Sequence, residues 1–256
     1  MMQRLGSVFI WIAVVILILG WLPLLAIIRL FDRDLGLYQT GRMFRRLGLA
    51  ISRVNPSWKI SIEGNVKVDD RNPYVIVSNH MSNADIPVIS NLPWEMKWVA
   101  KKELFDLPIV GWMMKLAGDI PVARGSMREA VKVFQRCKYY LDNNTSVIFF
   151  PEGTRSRSGQ LTRFASGAFD LAIRENVPIL PVVLDGTQGC LPKQSWVFEQ
   201  DVHVKLKVLD PIPTVGYKKG DSSLLMDKVR TQMAEQLAEW RGVDITEVDY
   251  AGHRSR

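Results

Sequence analysis

Residues 8–28 (VFIWIAVVILILGWLPLLAII) run for 21 positions without a charge, and the chain after them changes character in short blocks. A helix of that length rises about 30 Å, the hydrocarbon thickness of a bilayer, so the run predicts a membrane-embedded helix. A cleaved signal peptide fits less well, since only Arg4 precedes the run and no small-residue cleavage site follows it. Gly20 and Pro23 interrupt the run and leave two paths open, a spanning helix or one that turns back within a leaflet. Across 35–54, Leu35, Tyr38, Met43, Leu47, Ala50 and Ile51 recur near helical spacing, with Arg42, Arg45, Arg46 and Arg53 on the other side. That pattern predicts an amphipathic interfacial helix.

After a break at 55–57, apolar runs predict strands at 58–63, 74–78, 97–100, 120–123, 146–150, 179–184 and 202–209. Helices fill the gaps. The best marked is 126–142, where Ser126 and Glu129 form a capping-box pattern and Ala130, Phe134, Cys137 and Leu141 share one face. In the last strand Val202, Val204, Leu206 and Val208 alternate with polar residues, which turns His203 outward. An amphipathic helix at 224–240 follows, and 245–256, with His253, reads as a polar tail. Alternating strands and helices predict an α/β fold. The chain divides into membrane-inserting and interfacial helices (1–55), an α/β domain (56–244) and the tail (245–256). It has no internal repeat, P-loop or GxSxG elbow.

The overall 47% hydrophobic and 23% charged content is that of a globular protein, but the charge is unevenly placed. Residues 1–54 carry seven arginines, no lysine and two acids, a net of +5 out of the chain's +7. Cations after the apolar run favour a cytoplasmic catalytic part and contact with anionic headgroups of a membrane lipid bilayer. No nucleic-acid motif accompanies them, so nucleic acid is not an expected partner. Two cysteines, Cys137 and Cys190, are too few for a disulfide scaffold or zinc site and point to a reducing compartment.

Candidate chemistry gathers where two strands end. The run 74–77 stops in Ser78-Asn79-His80-Met81-Ser82-Asn83-Ala84-Asp85, which places His80 at a strand end, where open α/β sheets bind ligands. Asp85 follows five residues later, about 140° away on a continuous helix. The two side chains meet only across a turn, which Ser82, Asn83 and Pro87 favour. An aspartate accepting from one imidazole nitrogen leaves the other free to take a proton. A histidine beside an aspartate is more often a satisfied loop residue than a catalyst. A second cluster shifts the balance: 146–150 (SVIFF) also ends abruptly, in Pro151-Glu152-Gly153-Thr154-Arg155-Ser156. Two strands delivering polar clusters to one sheet edge make one pocket.

Asn79-His80 with Asp85, followed about seventy residues later by Phe150-Pro151-Glu152-Gly153-Thr154-Arg155, resembles the paired HxxxxD and FPEGTR signature of the glycerolipid acyltransferases. Within them the resemblance is to the 1-acylglycerol-3-phosphate (lysophosphatidic acid) acyltransferases. Stretches 99–105 with Pro108 and Gly111, 118–124 and 177–182 resemble the family too, so the likeness covers about 74–184. One position departs: many members place an acid before the arginine of the third block, and this chain has Ala123.

The resemblance implies a mixed sheet flanked by helices and acyl transfer from acyl-CoA or acyl carrier protein to lysophosphatidic acid in phospholipid biosynthesis. It implies that His80, backed by Asp85, deprotonates the acceptor hydroxyl, with no metal and no cofactor. Arg155 offers a planar fork suited to phosphate oxygens, and the matching blocks add Lys101 and Arg124. Gly153, beside Thr154, lets the backbone approach a ligand. Glu152 suits such a site only by accepting from acceptor hydroxyls or by orienting Arg155. Glycerol 3-phosphate or another lysolipid is the alternative acceptor. The rival classes are a lipid hydrolase or transacylase and an idle membrane-binding module.

Overall fold

The structure, a computed structural model, describes residues 2–69, 71–123, 125, 127–191 and 195–249. Its strands are β1 (Trp58–Gly64), β2 (Val75–Ser78), β3 (Met96–Lys101), β4 (Ile120–Val122), β5 (Ser146–Phe149), β6 (Ile179–Asp185) and β7 (Val202–Val208). They form one sheet in the order β1-β7-β6-β2-β5-β3-β4. Every pairing is parallel except β6 with β7, so β1 and β7 run against the other five. The helices are α1 (Met2–Phe31), α2 (Tyr38–Val54), α3 (Asp85–Ile89), α4 (Val110–Ala117), α5 (Met127–Asp142), α6 (Gly167–Glu175), α7 (Ser222–Arg241) and α8 (Ile245–Val248).

The side-chain period of two distributes each central strand between two cores. Val75 and Val77 of β2, Val147 of β5 and Ile179 and Val183 of β6 pack with α5, α6 and α7 on one face. Ile76, Ile148, Leu180 and Val182 pack with α3 and Trp98 on the other. Covered on both faces, these strands read as unbroken apolar runs. A third apolar layer lies outside α2: Leu25 and Leu47 are buried there with Met113 of α4.

Helix α1 lies along this layer. Near its start Gln3 Nε2 donates to Phe198 O at 3.1 Å, and Ser7 Oγ accepts from Phe198 N at 3.0 Å. Trp11 Nε1 donates to Trp196 O at 2.7 Å, and two-thirds along the helix Trp21 Nε1 donates to Met43 O at 2.9 Å. Its outward face, including Phe9, Ile12, Ile16, Leu19, Ile27 and Leu30, is exposed. The helix is long and apolar enough to cross a membrane.

All seven predicted strands form, but two readings of the flanks are corrected. Arg45 does not face outward with Arg46 and Arg53; its Nη2 donates to both Asp119 oxygens at 2.7 and 2.8 Å beneath α2. There it joins Glu95 and a fully buried Lys97, whose Nζ donates to Glu95 Oε1, Leu37 O and Ala117 O. Three donors meet three acceptors, which makes this burial tolerable. Helical periodicity separates polar from apolar positions, but it does not distinguish a charge facing water from one facing a buried acid. Likewise 245–256 is not a polar tail throughout: 245–248 form α8, Val248 is buried, and Val248 O accepts from Leu161 N at 2.7 Å. Ser126 of the expected capping box and His253 lie outside the described residues.

Candidate active site

His80 follows β2 immediately, at the sheet's carboxyl edge. The chain continues from β2 to β3 on one side, while β6 pairs with β2 on the other, so His80 stands where the strand order reverses. Such switch points open a crevice in α/β sheets. Asn79 fixes the exit from the strand: its Nδ2 donates to Leu184 O at 2.9 Å and its Oδ1 accepts from Leu184 N at 2.8 Å. That side chain is buried and clasps β6 through its oxygen and one N–H.

The intervening turn does bring His80 and Asp85 together. Asp85 begins α3, is fully buried, and its Oδ2 lies 2.6 Å from His80 Nδ1. The same oxygen accepts from Met81 N at 2.7 Å and Ser82 N at 3.0 Å, so backbone donors hold the carboxylate where it meets the ring. A proton on Nδ1 donated to Asp85 leaves Nε2 as the basic nitrogen. Among the described residues Nε2 has no protein partner.

The second cluster arrives on β5. Phe150 stacks on His80 with ring centroids 4.0 Å apart and an interplanar angle of 16°, and Trp98 lies 5.6 Å behind Phe150. Pro151 and Glu152 then make a turn closed by Gly153 N donating to Phe150 O at 2.9 Å, with Gly153 at φ 65°. Glycine takes that left-handed conformation without the strain of a Cβ. Ser156 N donates to His80 O at 2.7 Å, which draws the two clusters into one cleft.

Glu152 behaves differently from the expectation that it accepts from acceptor hydroxyls or orients Arg155. Its Oε1 accepts from His80 N at 2.8 Å, and its Oε2 from Thr162 N and Thr162 Oγ1 at 2.9 and 2.6 Å. Both oxygens therefore bind the protein's own chain. Burial raises the carboxyl above its ordinary value, against the pull of the Thr162 and His80 hydrogen bonds.

Thr154 and Arg155 are exposed at the cleft's rim, and Lys101 ends β3, exposed, two strands from β2 at the same edge. Arg124 lies outside the described residues. Cys137 and Cys190 are buried, and burial pushes both thiols up to about 12, so neither supplies a thiolate near neutral pH. Sequence reasoning missed the stacking role of Phe150, although it stood inside the second motif. Nothing in the sequence marked Thr162 or the pair that Arg241 Nη2 makes with Asp185 Oδ1 at 2.7 Å beside the cleft.

Comparison with known proteins agrees with this geometry. A family model described as Acyltransferase matches residues 59–185. The chloroplastic 1-acyl-sn-glycerol-3-phosphate acyltransferase BAT2 of Brassica napus is 36% identical over 186 residues, 72% of this chain and 52% of the relative. The alpha form from Ovis aries is 34% identical over 177 residues, 68% of this chain and 61% of that protein. The enzyme so named from Saccharomyces cerevisiae is 33% identical over 173 residues, 66% and 57% of the two chains. The chain thus spans about half the length of the first of these relatives. A crystal structure titled 1-acyl-sn-glycerophosphate (LPA) acyltransferase, PlsC, from Thermotoga maritima superposes with a TM-score of 0.75 at 24% identity, covering 92% of this chain and 96% of that one, and so shares the fold. A histidine and aspartate joined at a sheet edge, a second motif folded against them, and these likenesses together place the chain in the acyltransferase family, among relatives named 1-acyl-sn-glycerol-3-phosphate acyltransferase.

Proposed function

We propose that the protein transfers a fatty acyl group from a thioester, acyl-CoA or acyl carrier protein, to the free hydroxyl of lysophosphatidic acid, giving phosphatidic acid. The observation that carries this reading is the His80 to Asp85 contact of 2.6 Å, which orients a partly exposed imidazole whose other nitrogen has no partner among the described residues. In the proposed step Nε2 takes the acceptor's hydroxyl proton as the alkoxide oxygen bonds to the thioester carbonyl carbon. The tetrahedral intermediate collapses, the carbon–sulfur bond breaks, and the departing thiolate recovers the proton from His80. Asp85 steadies the imidazolium in between. Arg155, Thr154 and Lys101 at the rim suit an acceptor phosphate, with Arg155 supplying the fork. The engaged oxygens of Glu152 support a role in holding the His80 backbone.

The acceptor is itself a membrane lipid. The exposed apolar face of α1, held along the domain by Gln3, Ser7, Trp11 and Trp21, supports a helix lying in one leaflet with the active site at headgroup level, and the arginines after its apolar run favour the cytoplasmic side. The arginine-rich first segment favours an anionic surface.

The test is the purified full chain in vesicles containing lysophosphatidic acid, supplied with labelled acyl-CoA or labelled acyl carrier protein. Labelled phosphatidic acid is the expected product. Free fatty acid formed equally without acceptor would establish a hydrolase instead. His80→Ala should cut turnover by about 10²–10⁴, while lysophosphatidic acid still binds; wild-type turnover in that variant would end the mechanism.

A further inference from the structure

A cleft of about 550 Å³ opens where α1 ends, between α4 and α5, and Arg29, Lys115 and Arg136 line it with Trp112 and Gly118. It is not the catalytic cleft. Gly118 precedes β4, so it lies at the amino edge of the parallel strands, whereas His80 lies at the carboxyl edge. We propose that this cleft binds the headgroup of an anionic phospholipid. The proposal rests on the membrane placement argued above, and adds to it a defined site.

Three cations converge here with no carboxylate in the lining. The nearby acids are engaged elsewhere: Asp32 accepts from Thr40 N at 2.7 Å, Asp34 pairs with Arg71 at 2.6 Å, and Asp119 pairs with Arg45 at 2.7 Å. Among the described residues the side chains of Arg29 and Lys115 have no ion-pair partner. Arg136 has no ion-pair partner among the described residues either, and it lies near Tyr140, whose ring is buried beside Gly118. Arg29 and Lys115 lie in the last turns of α1 and α4, where a cation complements the helix dipole. That accounts for only part of the charge. Two helix ends supply about half a negative charge each, which leaves a surplus of about two positive charges. Arg136 lies within α5, away from either end.

Gly118 carries no side chain and the Tyr140 hydroxyl takes that place in the floor, since a Cβ there would stand 2.3 Å from it. The surroundings favour a lipid over a free ion. Leu30 and Phe31 at the end of α1 are 80% and 77% exposed, and Trp112 is 52% exposed at the rim. A headgroup phosphate in the cleft would leave its acyl chains alongside this apolar flank, with the indole at the depth where tryptophan settles in bilayers.

The experiment compares partitioning of the full chain onto phosphatidylcholine vesicles with and without phosphatidylglycerol. The variants are Arg29→Gln/Lys115→Gln/Arg136→Gln and, as a control removing equal charge elsewhere, Lys218→Gln/Lys219→Gln/Lys228→Gln. The native chain and the control should gain affinity from phosphatidylglycerol, and the cleft variant should lose roughly a hundredfold of it, keeping its binding to neutral vesicles. Thermal unfolding monitors the fold of each variant. An equal loss in the control would show diffuse charge and overturn the site. Unchanged binding with a lowered unfolding temperature would mean the cations serve only the helix ends. Inorganic phosphate competing at millimolar levels would assign the cleft to a free anion. If the native chain binds no vesicle, the membrane placement itself fails, an outcome separate from failure of the cleft.

Discussion

Phe150 lies flat against His80, ring centroids 4.0 Å apart, while Asp85 grips the imidazole edge at 2.6 Å. The hydrogen bond fixes which nitrogen is protonated, and the stack restricts rotation of the ring out of the cleft. An aromatic pair is worth about 0.5–1.5 kcal/mol beyond its buried area. Phe150→Leu should therefore lower kcat up to about tenfold with little change in the acceptor KM, and Phe150→Tyr should recover most of the loss. Equal falls in kcat for both variants would show that packing volume, not stacking, matters.

Glu152 joins the two halves of the site, since one oxygen holds His80 N and the other Thr162. Glu152→Gln replaces one acceptor oxygen with a donor and sets N–H against N–H. A buried donor left unmet costs about 1–3 kcal/mol, so unfolding in urea should shift by that order and kcat should fall with it. The pH dependence has a definite sign. Because burial raises the carboxyl above its ordinary value of 4.5, its titration favours the fold at low pH. That contribution is full below 4.5 and is lost as pH rises through the folded value. The native chain's stability relative to Glu152→Gln should therefore shrink as pH rises across that window; a constant difference would mean the carboxyl is not raised.

The central sheet was legible in the sequence because its strands, buried on both faces, are apolar throughout and end in abrupt polar clusters. The meeting of His80 with Asp85 followed from the turn-forming residues between them. The partners of Glu152 were not legible, because Thr162 lies ten residues downstream in an irregular segment whose path only tertiary packing determines. Arg45 was misread for a related reason: its partners Glu95 and Asp119 are brought under α2 by the chain's long-range folding. The relevant signal was glycine at position 41. A Cβ there would stand 1.9 Å from Glu95 Oε1 and 2.5 Å from Lys97 Nζ, so α2 can approach these charges only without a side chain at that point.

Gly41→Ala is the corresponding test. Overpacking a buried site costs about 1–3 kcal/mol, and here it also pushes against a charged cluster whose burial lifts Glu95 above its ordinary value. The unfolding free energy from denaturant titration should fall by about that amount even though alanine favours helix over glycine. A stabilised variant would mean that α2 sits further from the sheet. Glu95→Gln should cost more, about 3–5 kcal/mol, because it leaves buried cations without their partner.

The same cluster decides how the membrane role of the first helices is tested. Removing residues 1–54 would take Arg45 from Asp119 and the Leu37 carbonyl from Lys97, stranding buried charges, so that truncation should unfold the domain rather than merely release it. The informative variant keeps α2 and the packed side of α1 and alters only the outer face. Ile12, Ile16 and Leu19 are 51%, 64% and 53% exposed, so serine at all three removes little internal packing. Full insertion of each such side chain is worth about 1.5–3 kcal/mol, and the triple variant should lose vesicle binding by several orders of magnitude while unfolding near the native temperature. Activity on lysophosphatidic acid dispersed in detergent should persist, and activity on bilayer-embedded substrate should collapse. Undiminished activity on vesicles would show that the domain reaches its substrate without α1, and would remove the helix from the proposed positioning of the site.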